Sequence, residues 1–191
     1  MSPVNNTGTG RIAIAFSKKK LSKLLTISAV FAALGCWMLL TPTSEGTGLL
    51  NHPIIKNGSA LGAVLMGLLG TALALKKLLQ HQPAVMIDDS GITDHSSPVA
   101  AGYVPWSDVQ LITTTTVVNQ KLILLIVKNA EAYILQQKNI IAKKGMRMNF
   151  KNYGSPICIS ASGLQCTTGE LEQMIEGKLS AYKRQGTVYP I

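Results

Sequence analysis

The residues best suited to chemistry fall within one stretch: Asp88, Asp89, Asp94 and His95, followed by Trp106-Ser107-Asp108. Carboxylates beside a histidine can bind a metal or move protons, and a serine next to an acid has the makings of an activated nucleophile. Nothing in the spacing fixes either geometry. Asp89-Ser90-Gly91 is a turn signal, and aspartates at turns accept hydrogen bonds from the backbone that follows them. Trp106 reads as an anchor at a strand entrance, with Ser107 or Asp108 capping a turn. His52, His81 and His95 belong to three different places along the chain and are not expected to converge. Gly8-Thr9-Gly10 lacks the preceding strand and following helix of a phosphate loop and reads as tail. Cys36, Cys158 and Cys166 are odd in number and have no Cys-x-x-Cys spacing. All three read as reduced, Cys36 within an apolar run and the others in or near a core. The expectation is therefore a protein with no catalytic residue, metal ligand or cofactor.

The elements that must carry these residues begin with two apolar runs. Only 14% of the 191 residues are charged, against about a quarter in an ordinary soluble domain, and mean hydropathy is +0.25. Part of the chain is thus expected to be solvated by lipid. Leu24 to Leu40, LLTISAVFAALGCWMLL, carries no charge, and with Leu21 to Lys23 it reaches the ~20 residues that span a hydrocarbon core. Ser59 to Leu75, SALGAVLMGLLGTALAL, is also uncharged. The remaining chain is too small to bury two helices that are apolar all round. The expected organisation is an N-terminal segment 1–20, transmembrane helices at 21–41 and 58–79, a short external loop 42–57 and a domain over 83–191. A cleaved leader is disfavoured by the late start of the first run and by the lack of a small-x-small site before Pro42.

Charge sets the expected orientation. Lys18, Lys19, Lys20 and Lys23 precede the first run and Lys76 and Lys77 close the second, whereas the segment between holds only Glu45, His52 and Lys56. The positive-inside rule then places both termini in the cytoplasm. Asn57-Gly58-Ser59 matches a glycosylation acceptor but abuts the membrane and carries no weight. Along the second run Gly58, Gly62, Met66 and Gly70 share a face, with Gly67 beside it, which makes Gly58, Gly62, Gly67 and Gly70 the candidate helix-packing residues. Their expected partner is the first helix, through Ala32, Ala33 and Gly35; the alternative is a second copy of the chain, giving a homodimer.

The domain reads as α+β. Ala84–Asp88 and Ile92–His95 form a hairpin about Asp89-Ser90-Gly91, and Ser96 to Gly102 is a loop. Val109–Val118 and Lys121–Lys128 form a second hairpin turning at Asn119-Gln120, the later strand apolar enough to be buried on both faces. Ser155–Ser160 adds a short strand. Thr167 to Glu170 fits a capping box that opens a last helix, whose apolar face is Leu171, Met174, Ile175, Leu179 and Tyr182 and whose stop is Gly186. This helix is expected to cover the open end of a curved antiparallel sheet. A further helix, from about Asn129 to Met148, is expected to turn Tyr133, Ile134, Ile141 and Met148 inward. Arg11–Phe16 alternates like a strand and is expected to dock on the same sheet.

Several of these segments, in this order, resemble an uncharacterised family of small bacterial inner-membrane proteins. They are Ile12-Ala13-Ile14-Ala15-Phe16-Ser17 with its lysines, the two apolar runs, Asp88 to Ser97, Gly102 to Val109 and Gly154 to Ser160. The resemblance implies a two-helix anchor in the bacterial plasma membrane and a cytoplasmic pleckstrin-homology-like domain, with a C-terminal capping helix and an inserted basic helix. It implies no activity, and it assigns no role to any residue.

One feature carries a testable mechanism. Lys128 to Lys151 holds six cationic residues against Glu131 alone, while residues 82–191 have ten bases and eight acids. Lys138, Lys143, Lys144, Arg147 and Lys151 are the candidate contacts to anionic lipid headgroups, each contributing about 1 kcal/mol when close to an anionic leaflet. The bland account is a solvated helix face. Nucleic acid is not expected as a partner, since interleaved surface aromatics are missing. The reading is a non-catalytic, membrane-tethered module that binds a protein partner or anionic lipid. Against it stand an enzyme, which would need convergent polar groups, and an accessory subunit of a transport system, for which Thr26, Ser28 and Thr71 are the best polar residues that the apolar runs offer.

Overall fold

A computed structural model describes residues 4–7, 10–42, 52–80 and 82–186. The expected loop 42–57 therefore falls mostly outside the described residues, as do Gly8, Thr9 and His81. The chain divides into two compact units, Ser17–His81 on one hand and Met1–Phe16 with Gln82–Ile191 on the other.

The first unit is a pair of helices, α1 (Lys18–Leu40) and α2 (Pro53–Leu78), both long and apolar enough to cross a membrane. At 1.5 Å per residue they measure roughly 35 and 39 Å. Ser17 caps α1 by accepting from the Lys20 N–H at 3.3 Å, and Pro53 opens α2, where its missing N–H costs nothing. α2 thus begins five residues before the expected position 58, because Pro53-Ile54-Ile55 continues the apolar pattern. The helices pack through small residues: Ser28 and Gly35 on α1, and Ala60, Gly67 and Ala74 on α2, are buried. A Cβ on Gly67 would lie 2.6 Å from the Ala32 nitrogen and 2.7 Å from the Ser28 carbonyl oxygen, so only glycine permits this approach. Gly35 faces Ala60 and Val64, and Gly70 faces Ser28. Gly58 and Gly62 depart from the expectation, since no described atom lies within 4 Å of a Cβ built on either. The seam follows positions 60, 67 and 74, and the helical phase carries 58 and 62 away from it. Ala33 is likewise exposed. The buried Lys56 ammonium donates to the Thr41 carbonyl oxygen, placing a positive charge against the C-terminal end of α1.

The second unit contains a five-stranded sheet, β1 (Val4–Thr7), β2 (Arg11–Ile14), β3 (Val85–Ile87), β4 (Gly91–Asp94) and β5 (Gly102–Pro105), in that order. A three-stranded sheet follows, β6 (Val109–Val117), β7 (Gln120–Val127) and β8 (Ile157–Ser160), and every neighbour in both sheets is antiparallel. The segment expected to be a strand over 11–16 is β2, whose Ile14 stands opposite Val85. Just beyond it Phe16 bridges to Leu164 and the Ala15 carbonyl accepts from Gln165, so the N-terminal segment also ties to the chain that leaves β8. Since Ile14 and Phe16 are buried, the domain expected over 83–191 is incomplete without this strand. Ile14, Ile87, Ile92, Trp106, Ile123, Leu125, Ile157, Ile159, Leu164 and Leu171 are among the largest core side chains. Ile123, Leu124 and Leu125 are buried in succession, so β7 is covered on both faces.

The helices are α3 (Ala130–Leu135), α4 (Ile140–Tyr153) and α5 (Thr168–Gly186). In the capping box of α5 Thr167 N–H donates to Glu170 at 2.7 Å and Glu170 N–H returns a bond to Thr167 Oγ1 at 3.3 Å. Leu171, Ile175 and Leu179 are buried beneath it. The expected stop, Gly186, is the last described residue and belongs to the helix.

Three features differ from the sequence reading. The single helix expected over 129–148 is two, because Asn139 caps a fresh helix after Gln136-Gln137-Lys138. The break resets the helical phase, so Ala142 and Met146 point inward whereas Ile141 and Met148 are exposed. The β6–β7 turn sits at Val118-Asn119 rather than Asn119-Gln120, both residues having positive φ. β5, not expected as a strand, starts at Gly102, the end of the expected loop, whose φ of +75° suits glycine, and runs to Pro105.

Candidate functional site

α4 is built from its ends. The Asn139 side chain accepts from the Ile141 N–H at 2.8 Å, and Gly154 closes the helix in the left-handed conformation with φ +73°. Gly145 allows contact with Val99, whose γ carbons would lie 2.9 Å from a Cβ at that position. With Ala142 and Met146 facing the core, helical geometry brings Ile140, Ile141, Lys144, Met148 and Lys151 to the opposite side, with Arg147 at its margin. Lys138, in the connection before α4, is exposed as well, and Lys143 is half-buried. Four of the five expected lipid contacts are thus exposed. Arg147 meets Glu131 of α3 at 3.4 Å; both side chains are exposed, so this pair orients more than it stabilises. α4 itself contains no acidic residue.

The carboxylates near β3 and β4 are engaged separately. Asp88 Oδ1 accepts from the Ser90 N–H at 2.9 Å, the Ser90 hydroxyl at 2.7 Å and the Gly91 N–H at 3.0 Å. Partial burial acts to raise the Asp88 pKa, but these bonds and the nearby Arg11 outweigh it and hold the carboxyl below its ordinary value. Asp89 pairs with Lys178 at 2.6 Å. The buried Asp94 accepts from the Ser96 N–H at 2.8 Å, and His95 is exposed. Arg11, Asp88, Asp89 and Ser90 line a shallow open hollow. Among the described residues no three His, Cys, Asp or Glu side chains are grouped so as to hold a metal ion.

Trp106 is buried with its indole N–H donating to the Asp88 carbonyl oxygen at 2.9 Å, so it pins the β3–β4 turn to the core. Asp108 accepts from the Tyr133 hydroxyl at 2.7 Å. Burial and this carboxylate together push the Tyr133 pKa up, which keeps the phenol protonated as the donor. Ser107 only grazes Asp108, at 3.4 Å. Cys158 is half-buried, and burial pushes its thiol up to about 11; Cys166 is buried and Cys36 exposed.

Sequence reading identified the cations but not the exposed apolar residues between them. Asn139, a good cap placed directly before Ile140-Ile141, was the available signal. Comparison with family models, with curated proteins and with solved structures returned no match.

Proposed function

We propose that this chain is a membrane-tethered, non-catalytic interaction module in which α1 and α2 anchor the protein and the α4 surface engages anionic lipid headgroups. The observation that carries the reading is the outward face of α4, where Lys144 and Lys151 are presented beside exposed Lys138 and Arg147 on a helix free of acids. Such a face attracts a negatively charged leaflet without a headgroup pocket. The anchor would lie in a bacterial plasma membrane with both chain termini on the cytoplasmic side, as the lysines at the start of α1 and the end of α2 favour. A sheet of four strands after β1, a sheet of three strands and then α5 supports a pleckstrin-homology-like reading of the second unit.

Hydrogen exchange on the full chain in nanodiscs tests the proposal. Residues 138–153 should exchange more slowly in discs containing phosphatidylglycerol than in phosphatidylcholine alone. That difference should vanish when Lys138, Lys143, Lys144, Arg147 and Lys151 are changed to glutamate. Equal exchange of the native segment in both lipids would refute it.

A further inference from the structure

A helix with one face packed on a core ordinarily turns polar residues outward. α4 instead presents Ile140, Ile141 and Met148 outward, at 79%, 70% and 61% exposure. Leu135, at the end of α3, is also 57% exposed. These are not isolated surface residues: positions 140, 141, 144, 148 and 151 follow the spacing of a single helical stripe, so apolar and cationic side chains alternate along it. The asymmetric packing has a local cause, since Gly145, Ala142 and Met146 turn the smaller residues and one methionine towards Val99 and the core.

Charge complementarity selects the occupant. A soluble partner helix would need an acidic rim and an apolar groove in register with this stripe. An anionic bilayer supplies both at every orientation, with phosphates above and acyl chains below. Lysine and arginine stems reach along apolar surface while their charged ends stay at headgroup level, and exposed Ile and Met sit where acyl chains begin.

We propose that α4 lies in the plane of an anionic membrane surface with Ile140, Ile141 and Met148 inserted at the acyl boundary. This rests on the headgroup contact proposed above and deepens it, because the two contributions respond differently to salt. Ionic strength screens the attraction of Lys138, Lys144, Arg147 and Lys151 for headgroups and leaves the burial of the apolar stripe in place. Contact should therefore weaken with added salt without being lost.

The test places a bimane label at Ile141→Cys in full-length protein whose Cys36 and Cys158 are replaced by serine and alanine. The protein is reconstituted in mixed phosphatidylcholine and phosphatidylglycerol vesicles. Insertion predicts several-fold stronger quenching by lipids with brominated acyl chains than by aqueous iodide, persisting in high salt. It also predicts loss of acyl-chain quenching when Ile140 and Met148 become serine, and its retention when both become leucine. Both residues point outward, so the serine variant should keep the native thermal transition, which is measured alongside. Quenching by iodide alone, with lipid-dependent exchange protection intact, would overturn insertion and leave headgroup contact standing. Quenching by neither agent, with protection that ignores lipid composition, would mean that another protein surface covers the stripe and would overturn both.

Discussion

Val118 turns the β6–β7 hairpin with φ 45° and Asn119 follows with φ 62°. The left-handed region costs an L residue about 1–2 kcal/mol, and a β-branched side chain is among the least tolerant of it. Val118 is also 93% exposed, so its side chain recovers nothing from packing. Val118→Asn should therefore stabilise the protein by about 1 kcal/mol, read as a higher thermal midpoint in detergent. The opposite sign is expected at Asp88, which holds three donors of the β3–β4 turn. Asp88→Ala should cost about 1 kcal/mol, chiefly through the part-buried Gly91 N–H, since the exposed Ser90 donors can turn to water. Because folding lowers the Asp88 pKa, its charge contributes stability above the unfolded carboxyl value, about 3.9. That contribution is lost as pH falls through the folded value. The advantage of the native protein over Asp88→Asn should shrink as midpoints are measured from pH 7 down to pH 3. The turn chemistry of Asp88 was legible in the sequence, since Asp-Asp-Ser-Gly is a turn signal. The pairing of Arg11 with Asp88 and of Lys178 with Asp89 was not, as both cations come from segments remote along the chain.

The helices show where periodicity informs and where it misleads. α5 was legible because its capping box and apolar repeat agree, and one uninterrupted phase runs through it. Residues 129–153 were legible only in part: Tyr133 and Ile134 are buried as expected, but a break after Leu135 advances the phase, and Ile141 and Met148, also expected inward, face out. A similar phase argument separates the four glycines of α2, two in the seam with α1 and two outside it. Gly67→Leu should abolish the native hairpin, as a Cβ at that point already overlaps Ala32, whereas Gly62→Leu should be tolerated. Disulfide crosslinking of cysteine pairs placed across α1 and α2 in detergent would report both. β2 was legible from its alternation, but its weight was not: it brings Ile14 and Phe16 into the core and pairs with β3. A fragment beginning at Gln82 should lack a cooperative thermal transition, and an added peptide covering residues 1–17 should restore one.

At the scale of the molecule the distribution of charge matters more than its sum. Of the net +9, lysines cluster beside the two long apolar helices, and a second cationic group lies on α4 and the connection before it. α4 itself carries no acid, and its Arg147 meets Glu131 of α3. With α1 and α2 anchored as proposed, α4 would be held at high effective concentration near lipid, so weak contacts would suffice. The most direct measurement is energy transfer from a donor at Lys144→Cys to acceptors on lipid headgroups, in vesicles of rising phosphatidylglycerol content and at several salt concentrations. The account predicts transfer that grows with the anionic fraction, falls partway with salt, and does not respond to the anionic fraction when Lys138, Lys143, Arg147 and Lys151 are reversed to glutamate. Transfer in the otherwise native chain that is indifferent to both lipid charge and salt would contradict it.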